Sequence, residues 1–367
     1  MAPSSAAPRT FSLGGQVLPL VSPARVYLCG ITPYDVTHLG HAATFVWVDA
    51  ATSIMRLAGV DVTVCRNVTD IDDVLTRAAT EHGSAYDEFA VTQEYLFEQD
   101  MEALRVRRPA HTPRAHRYVD HVIQLAAALL ESGHGYHRDG QVYFRGYPAI
   151  PGGVPAQADE HGELTEGPAS AEPYDVAVWR RSGLGDPAWP SPWGPGRPGW
   201  HAECAAIAMS VLGHSVDVVA GGADLAFPHH AYQAALVEAA TGVRPFARGR
   251  LAIGTVMIDG AKMAKSTGNL VLVADLLKEH SAAALRLLLL DRPWRDAWEF
   301  RPKDLVASAA RLERLYSAAG GPTASRAAAE AVSAALLRDL QLPKALDVAE
   351  EAGGAAARLV LHTLSLV

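Results

Sequence analysis

Cysteine is scarce in this 367-residue chain, which has only Cys29, Cys65 and Cys204. Three thiols so far apart exclude a disulfide framework, and a reducing cytoplasm is the expected setting. Lysine is almost as scarce: Lys262, Lys265, Lys278, Lys303 and Lys344 are the full set, none of them before position 262. Arginine carries nearly all the other positive charge. No apolar run reaches the roughly 18 residues of a membrane-spanning helix, so no membrane partner is expected. An excess of positive charge is also missing, since the net charge is −8 and the pI is near 6.0. Nothing overall therefore announces a face for gripping a long polyanion, although a local basic patch is compatible with an acidic total. Met1–Thr10 lacks the charged-then-apolar order of a secretion signal, and a disordered leader over residues 1–23 is expected.

What is present is apolar sequence arranged for an α/β fold. Hydrophobic residues make up 49% of the chain, enough for one large domain or two to three ordinary ones. RVYLCG (25–30) reads as a buried strand, HLGHAATFVWVDAATSIMRLAG (38–59) as a helix ending at glycine, and DVTVCRNV (61–68) as a second strand. Strand, helix and strand at this spacing predict a βαβ unit, hence a parallel sheet and a nucleotide-type fold. Residues 84–133 are mostly helical and QVYF (141–144) is a strand. Residues 147–199, rich in glycine and proline, read as a long irregular insert or lid. A second α/β part follows, with a helix at 202–212, a strand at 216–219, a helix at 231–241 and one strand at 251–258. From Val271 the chain reads as helical to its end.

Four groups of residues carry chemistry. His38-Leu39-Gly40-His41 opens the first helix, where unpaired N–H groups favour a phosphate. Two histidines on one side there could stabilise charge building on an α-phosphate, and capping and core histidines explain the same pattern. Lys262 and Lys265 lie on a Gly/Asp-rich loop after a strand. Two of only five lysines placed three apart favour a triphosphate clamp over a solvated loop. Cys29, Cys204 and His229 are candidate zinc ligands, although their spacing is no zinc signature and buried thiols are common in cores. Cys65 fits the core reading better. Asp224 follows Gly221-Gly222 past a strand end, where ribose hydroxyls are read in open sheets, and an ordinary turn aspartate fits as well. Trp200 is either a pocket wall or a core residue. Asp70, Asp72 and Asp73 read as helix-start carboxylates.

In order along the chain, CGITPYDVTHLGHAAT, NVTDIDD, GPGRPGWHAECAAIA, GGADLAFPHH and KMAKSTGNLVLV resemble cysteinyl-tRNA synthetase and its tRNA-free relative, the cysteine:glucosaminyl-inositol ligase of mycothiol biosynthesis. The resemblance runs from about Val26 to at least Lys344. It implies an α/β class I aminoacyl-tRNA-synthetase-type fold: a Rossmann-type core at 24–115 and 200–250, a connective insert at 116–199, a lysine-loop region at 251–280 and a helical bundle at 281–367. It implies that Cys29, Cys204 and His229 hold Zn2+, to which the substrate cysteine adds its sulfur. His38 and His41 then serve the α-phosphate, and Lys262 and Lys265 the triphosphate of ATP, which comes with Mg2+. Thr32 and Trp200 contact cysteine, while Gly40, Gly222, Asp224 and Ser266 contact the nucleotide. Five positions depart from the synthetase pattern: Gln233 for a glutamate ligand, Ala264 for a serine, Ala252-Ile253 for His-Thr, and Ala220 for a glycine. A neutral amide is a poor zinc ligand, so three protein ligands are expected.

The acceptor is the open point. The residues after Gly268 are too few for a helical bundle plus an anticodon-reading region, and Glu330, Glu350 and Glu351 offset the arginines of the tail. The expectation is therefore a monomeric ATP-dependent ligase that forms cysteinyl adenylate and passes cysteine to an amine, with glucosaminyl-inositol the first choice and tRNA the minor one. A paralogue acting on another amine or a carrier protein is the runner-up. A nucleotidyltransferase would not need the candidate zinc residues, and a non-catalytic binder would not need the histidine and lysine sets. Arg180, Arg181 and His201 are candidate acceptor contacts.

Overall fold

A computed structural model describes residues 10–34, 36–146, 174–183, 186–263, 268–321 and 326–367. The chain begins with a small hairpin of β1 (Ser12–Leu13) and β2 (Gln16–Val17), then β3 (Ala24–Ile31), α1 (Leu39–Leu57) and β4 (Val62–Val68). Helices α2 (Asp73–Glu81), α3 (Tyr86–Ala103) and α4 (Val119–Glu131) lead to strands β5 (Gly135–Arg138), β6 (Gln141–Phe144), β7 (Val176–Arg181) and β8 (Gly196–Pro198). Next come α5 (Trp200–Leu212), β9 (Val216–Gly222), α6 (His229–Thr241), β10 (Ala247–Ile253), β11 (Val256–Ile258) and β12 (Ala261–Lys262). After α7 (Val273–Glu279), α8 (Ala282–Leu290) and β13 (Trp298–Glu299), the chain ends in α9 (Pro302–Ala319), α10 (Arg326–Leu337), α11 (Leu342–Ala352) and α12 (Gly354–Thr363).

The central sheet has the order β10-β9-β3-β4, every pair parallel. Residues 111–114 extend it beside β4 through the parallel bridges Cys65–His111 and Val68–Arg114. Strand order reverses between β3 and β9, and in open α/β sheets ligands bind at that reversal, beyond the carboxyl ends of the strands. Both faces of the sheet are covered, which is why β3 reads as a nearly continuous apolar run. Alternation sorts its side chains: Val26 and Leu28 join the core built with α1 and the C-terminal helices, whereas Tyr27 and Cys29 face the core built with α4, α5 and α6. Asp217, buried in β9, ties the lower sheet edge by accepting from Arg25 N at 2.7 Å and by pairing with Arg248.

Four expectations need correction. Within 1–23 the described residues are ordered: Phe11, Leu13 and Leu18 are buried against the C-terminal helices. Gly14 N donates to Asp339 Oδ1 at 2.7 Å, fixing the hairpin. The insert is more regular than its glycine and proline content predicts, because β7 and β8 complete an antiparallel sheet β5-β6-β7-β8; residues 147–173 lie outside the described set. The single strand at 251–258 is two strands in different sheets. It breaks at Gly254, where an added Cβ would stand 2.1 Å from Asp296 O. The apolar pattern runs through this break, so hydrophobicity alone does not reveal it. Finally, β13 interrupts the helical C-terminal part by pairing with β11.

Helix α1 is joined to the bundle by a buried ion pair. Arg286 Nη2 lies 2.7 Å from Asp49 Oδ2, Nη1 donates to Leu104 O at 2.8 Å and Nε to Leu364 O at 3.0 Å. Arg286→Ala should lower unfolding stability by about 3–5 kcal/mol, because it leaves Asp49 buried with only the partly exposed Arg107 to answer it. Urea denaturation checks this, and an Arg286→Ala/Asp49→Ala double variant should recover part of the loss.

Candidate active site

The carboxyl ends of β3 and β9, the start of α1 and the loop around Lys262 enclose a cleft of about 430 Å³. Cys29, Thr32, His38, Gly40, His41, Trp200, Gly222, Asp224 and Lys262 all line it, together with residues that the sequence did not single out, such as Tyr34, Phe45 and Met263. Lys265, Ser266 and Ala264 lie outside the described residues.

At one end of the cleft Cys29, Cys204 and His229, all buried, bring their ligand atoms within 4.8 Å of one another. They come from the end of β3, the first turns of α5 and the start of α6. Two thiols and an imidazole are a zinc-type donor set, and one of them, Cys29, also lines the cleft. Burial first, then the neighbouring Cys204, pushes the Cys29 thiol well above its ordinary range, so a thiolate here needs a cation beside it. The surroundings orient the three groups. Asn67 Nδ2 donates to Cys204 Sγ at 3.4 Å while its Oδ1 accepts from Gly30 N at 2.9 Å. His201 Nδ1 lies 2.8 Å from His229 Nδ1, and the Trp200 ring stacks on His229 with centroids 3.9 Å apart. His201 is thus buried against a candidate ligand and is not available as an acceptor contact. Arg180 is likewise committed, at 3.2 Å from Asp73. Gln233 Nε2 donates to Cys204 O at 3.2 Å, which ties the amide to the backbone of a candidate ligand. Cys65 lies in the core, and burial pushes its thiol up to about 12.

At the helix end, His38 is the N-cap of α1, and its Nδ1 accepts from Gly40 N at 3.1 Å. In the neutral ring that bond assigns the proton to Nε2. The His41 ring stacks on His38 with centroids 3.8 Å apart. Gly40 makes the arrangement possible, since a Cβ there would stand 2.9 Å from the His38 ring. Burial, then the charges of His38 and Lys262, push His41 down to about 3. Its Nδ1 has no hydrogen-bond partner among the described residues.

Across the cleft Lys262 Nζ lies 2.7 Å from Asp224 Oδ2, both side chains about half exposed. Lys262 ends a hairpin whose turn residues, Asp259 (φ 52°) and Gly260 (φ 76°), have the left-handed conformation that an Asp-Gly two-residue turn supplies. Gly222 lets the Asp224 carboxylate fold back over the backbone, since a Cβ there would stand 2.4 Å from Asp224 Oδ1 and displace it. Thr32 Oγ1 is held 2.7 Å from Thr69 Oγ1. Asn67 and Thr69 were missed as individual residues. The available signal was a polar Asn-Val-Thr-Asp run at the carboxyl end of a buried strand. Asp72 caps α2 as expected, whereas Asp70 instead accepts from His116 N at 3.0 Å.

Comparisons with known proteins bear on the family and the fold. The family described as tRNA synthetases class I (C) catalytic domain matches residues 20–310. The L-cysteine:1D-myo-inositol 2-amino-2-deoxy-alpha-D-glucopyranoside ligase of Parafrankia sp. (strain EAN1pec) is 41% identical, over 94% of this chain and 80% of the relative. The ligase of the same name from Streptosporangium roseum is 42% identical over 89% of this chain and 83% of its own. Among solved structures, Mycobacterium tuberculosis methionyl-tRNA synthetase bound by methionyl-adenylate aligns with a TM-score of 0.68 at 17% identity, covering 93% of this chain and 84% of that one. At that identity the likeness speaks for the fold alone. A Rossmann-type core, a connective sheet, a helical bundle and two relatives above 40% identity across most of their length lead to one conclusion: the chain belongs to the class I (C) tRNA-synthetase catalytic-domain family.

Proposed function

We propose that this protein is an ATP-dependent ligase that activates cysteine as cysteinyl adenylate and joins it, through an amide bond, to the amino group of glucosaminyl-inositol. The observation that carries the reading is that Cys29, which lines the same cleft as His38 and His41, meets Cys204 and His229 directly behind the cleft wall. Zinc, when bound, supplies a Lewis acid that takes the substrate thiolate and thereby separates cysteine from serine, a difference that pocket shape alone resolves poorly. Trp200 and Thr32 wall the cysteine side, and Thr69 fixes the Thr32 hydroxyl.

In the first step the cysteine carboxylate oxygen attacks the α-phosphorus and pyrophosphate leaves. The His38 Nε2 proton and the α1 N-terminus stabilise the charge that builds on the α-phosphate oxygens. His41 is neutral at working pH, so it hydrogen-bonds without adding a full charge. Asp224 turns to the ribose hydroxyls, which frees Lys262 for the phosphates; Lys265 and Ser266 of the same loop are assigned to this clamp from sequence. In the second step the neutral amine attacks the adenylate carbonyl carbon, the C–O bond to phosphate breaks so that AMP leaves, and the nitrogen passes its extra proton to solvent.

Purified protein with ATP and cysteine should catalyse cysteine-dependent ATP–pyrophosphate exchange, and addition of glucosaminyl-inositol should give the amide, identified by mass. Serine should exchange at least about 100-fold more slowly, and Cys204→Ser should lose both bound zinc and exchange. Stable cysteinyl ester on tRNA, without amide, would overturn the acceptor assignment.

His41 also gives a stability signature. Its native pKa near 3 lies below the ordinary value of 6.5, so in between only the unfolded chain takes up the proton. Its contribution is complete above about pH 6.5 and is lost as pH falls towards 3. Urea midpoints measured from pH 7 to pH 4 should therefore fall less steeply for His41→Asn than for the native protein.

A further inference from the structure

Tyr27 is a fully buried phenol that the proposed chemistry does not use. It lies two residues before Cys29 on the same face of β3, in register with Cys65 on one side and Val219 on the other. Its hydroxyl faces the Cys204 sulfur, within reach of a hydrogen bond, yet it makes none of ordinary geometry among the described residues. A core position that needed only an aromatic ring would be filled at lower cost by phenylalanine, since a buried hydroxyl without a partner is destabilising. Asn67 approaches the same sulfur from β4 with an N–H donor at 3.4 Å. Donors from two strands directed at one sulfur suit a thiolate better than a thiol, because the ionised sulfur accepts the stronger, charge-assisted bonds.

We infer that Tyr27 is a positioning residue for the metal centre, donating its hydroxyl proton to the Cys204 thiolate when that sulfur binds a metal ion. The inference rests on the zinc reading above. With Asn67, the phenol reduces the electron density that Cys204 gives to the metal. A metal less neutralised by its protein sulfurs holds an incoming thiolate more strongly. Tyr27 thus tunes the affinity for cysteine from beneath the site, without touching the substrate, and the register of β3 puts this control two residues from the ligand it serves.

Tyr27→Phe removes one oxygen and keeps the ring. Zinc affinity, measured by competition with a chromophoric chelator, should fall about 10-fold or more, because without the phenol the thiolate is less stabilised relative to the thiol whose proton the metal must displace, and this outweighs the gain in donation. In protein loaded with cobalt(II), the sulfur-to-metal charge-transfer band should move to longer wavelength, since an unbonded thiolate gives up its electron more easily. The KM for cysteine in pyrophosphate exchange should rise while kcat changes less. Cys65→Ala, its neighbour across the strand pair, should leave affinity and band unchanged. If Tyr27→Phe does not fold, 3-fluorotyrosine at position 27 provides a stronger donor and should move the band to shorter wavelength. Native protein that takes up neither zinc nor cobalt would overturn the metal reading and this inference with it. Normal uptake by the native protein, with unaltered affinity and band in both variants, would overturn this inference alone.

Discussion

The parallel pairing of β3 with β9 is the constraint on which the rest of the structure depends. These strands are separated by nearly two hundred residues and pair in the register Val26–Val218, Tyr27–Val219 and Leu28–Ala220. That register sets the end of β3, with Cys29, beside the end of β9, with Gly222. Each strand then launches a turn and a helix from the same edge: β3 leads to the His38–His41 cap, β9 to Asp224 and His229. The Asp217 contacts hold the opposite end of the sheet, so the strands cannot slide. A one-residue slip would turn Cys29 and Tyr27 to the wrong face and dismantle the candidate metal centre.

Around that frame, close approach does much of the fine positioning. Gly40 lets the His38 ring fold back over its own helix, Gly222 lets Asp224 turn into the cleft, and Gly30 runs so near Asn67 O that a Cβ would stand 1.7 Å away. The two ends of the cleft are electrostatically different. At the helix end, burial keeps His41 neutral and the α1 N-terminus supplies partial positive charge, which suits phosphate. At the sulfur end, burial raises the Cys29 thiol, so it keeps its proton unless a cation beside it offsets the charge. In the proposed reading, phosphate lies at the helix end and a thiol-binding metal behind Cys29 at the other.

The sequence made the local elements legible because their signals are local. Apolar runs of strand length marked β3, β4 and β9, and the 3.6-residue period marked α1, which is buried along most of its length. What it concealed were long-range effects: the break at Gly254, forced by Asp296 O; the ordered hairpin near the start, held by Asp339; and the two late insert strands, which exist by pairing with β6 and each other. The site divides in the same way. His38, Gly40 and His41 form one motif and could be read together, whereas His201, a residue plausible for contact with an acceptor, lies against His229 because α5 and α6 pack side by side.

The sequence by itself determined the family and the chemistry available, because five motifs of reactive or phosphate-binding residues survive in order and each is short enough to be read without a structure. The resemblance already named Cys29, Cys204 and His229; only the tertiary structure decided that their ligand atoms meet, which carboxylates cap helices, and that Asn67 addresses the Cys204 sulfur. Those outcomes depend on strand register and helix packing between segments far apart in the chain, and no spacing in the sequence encodes a distance across a sheet.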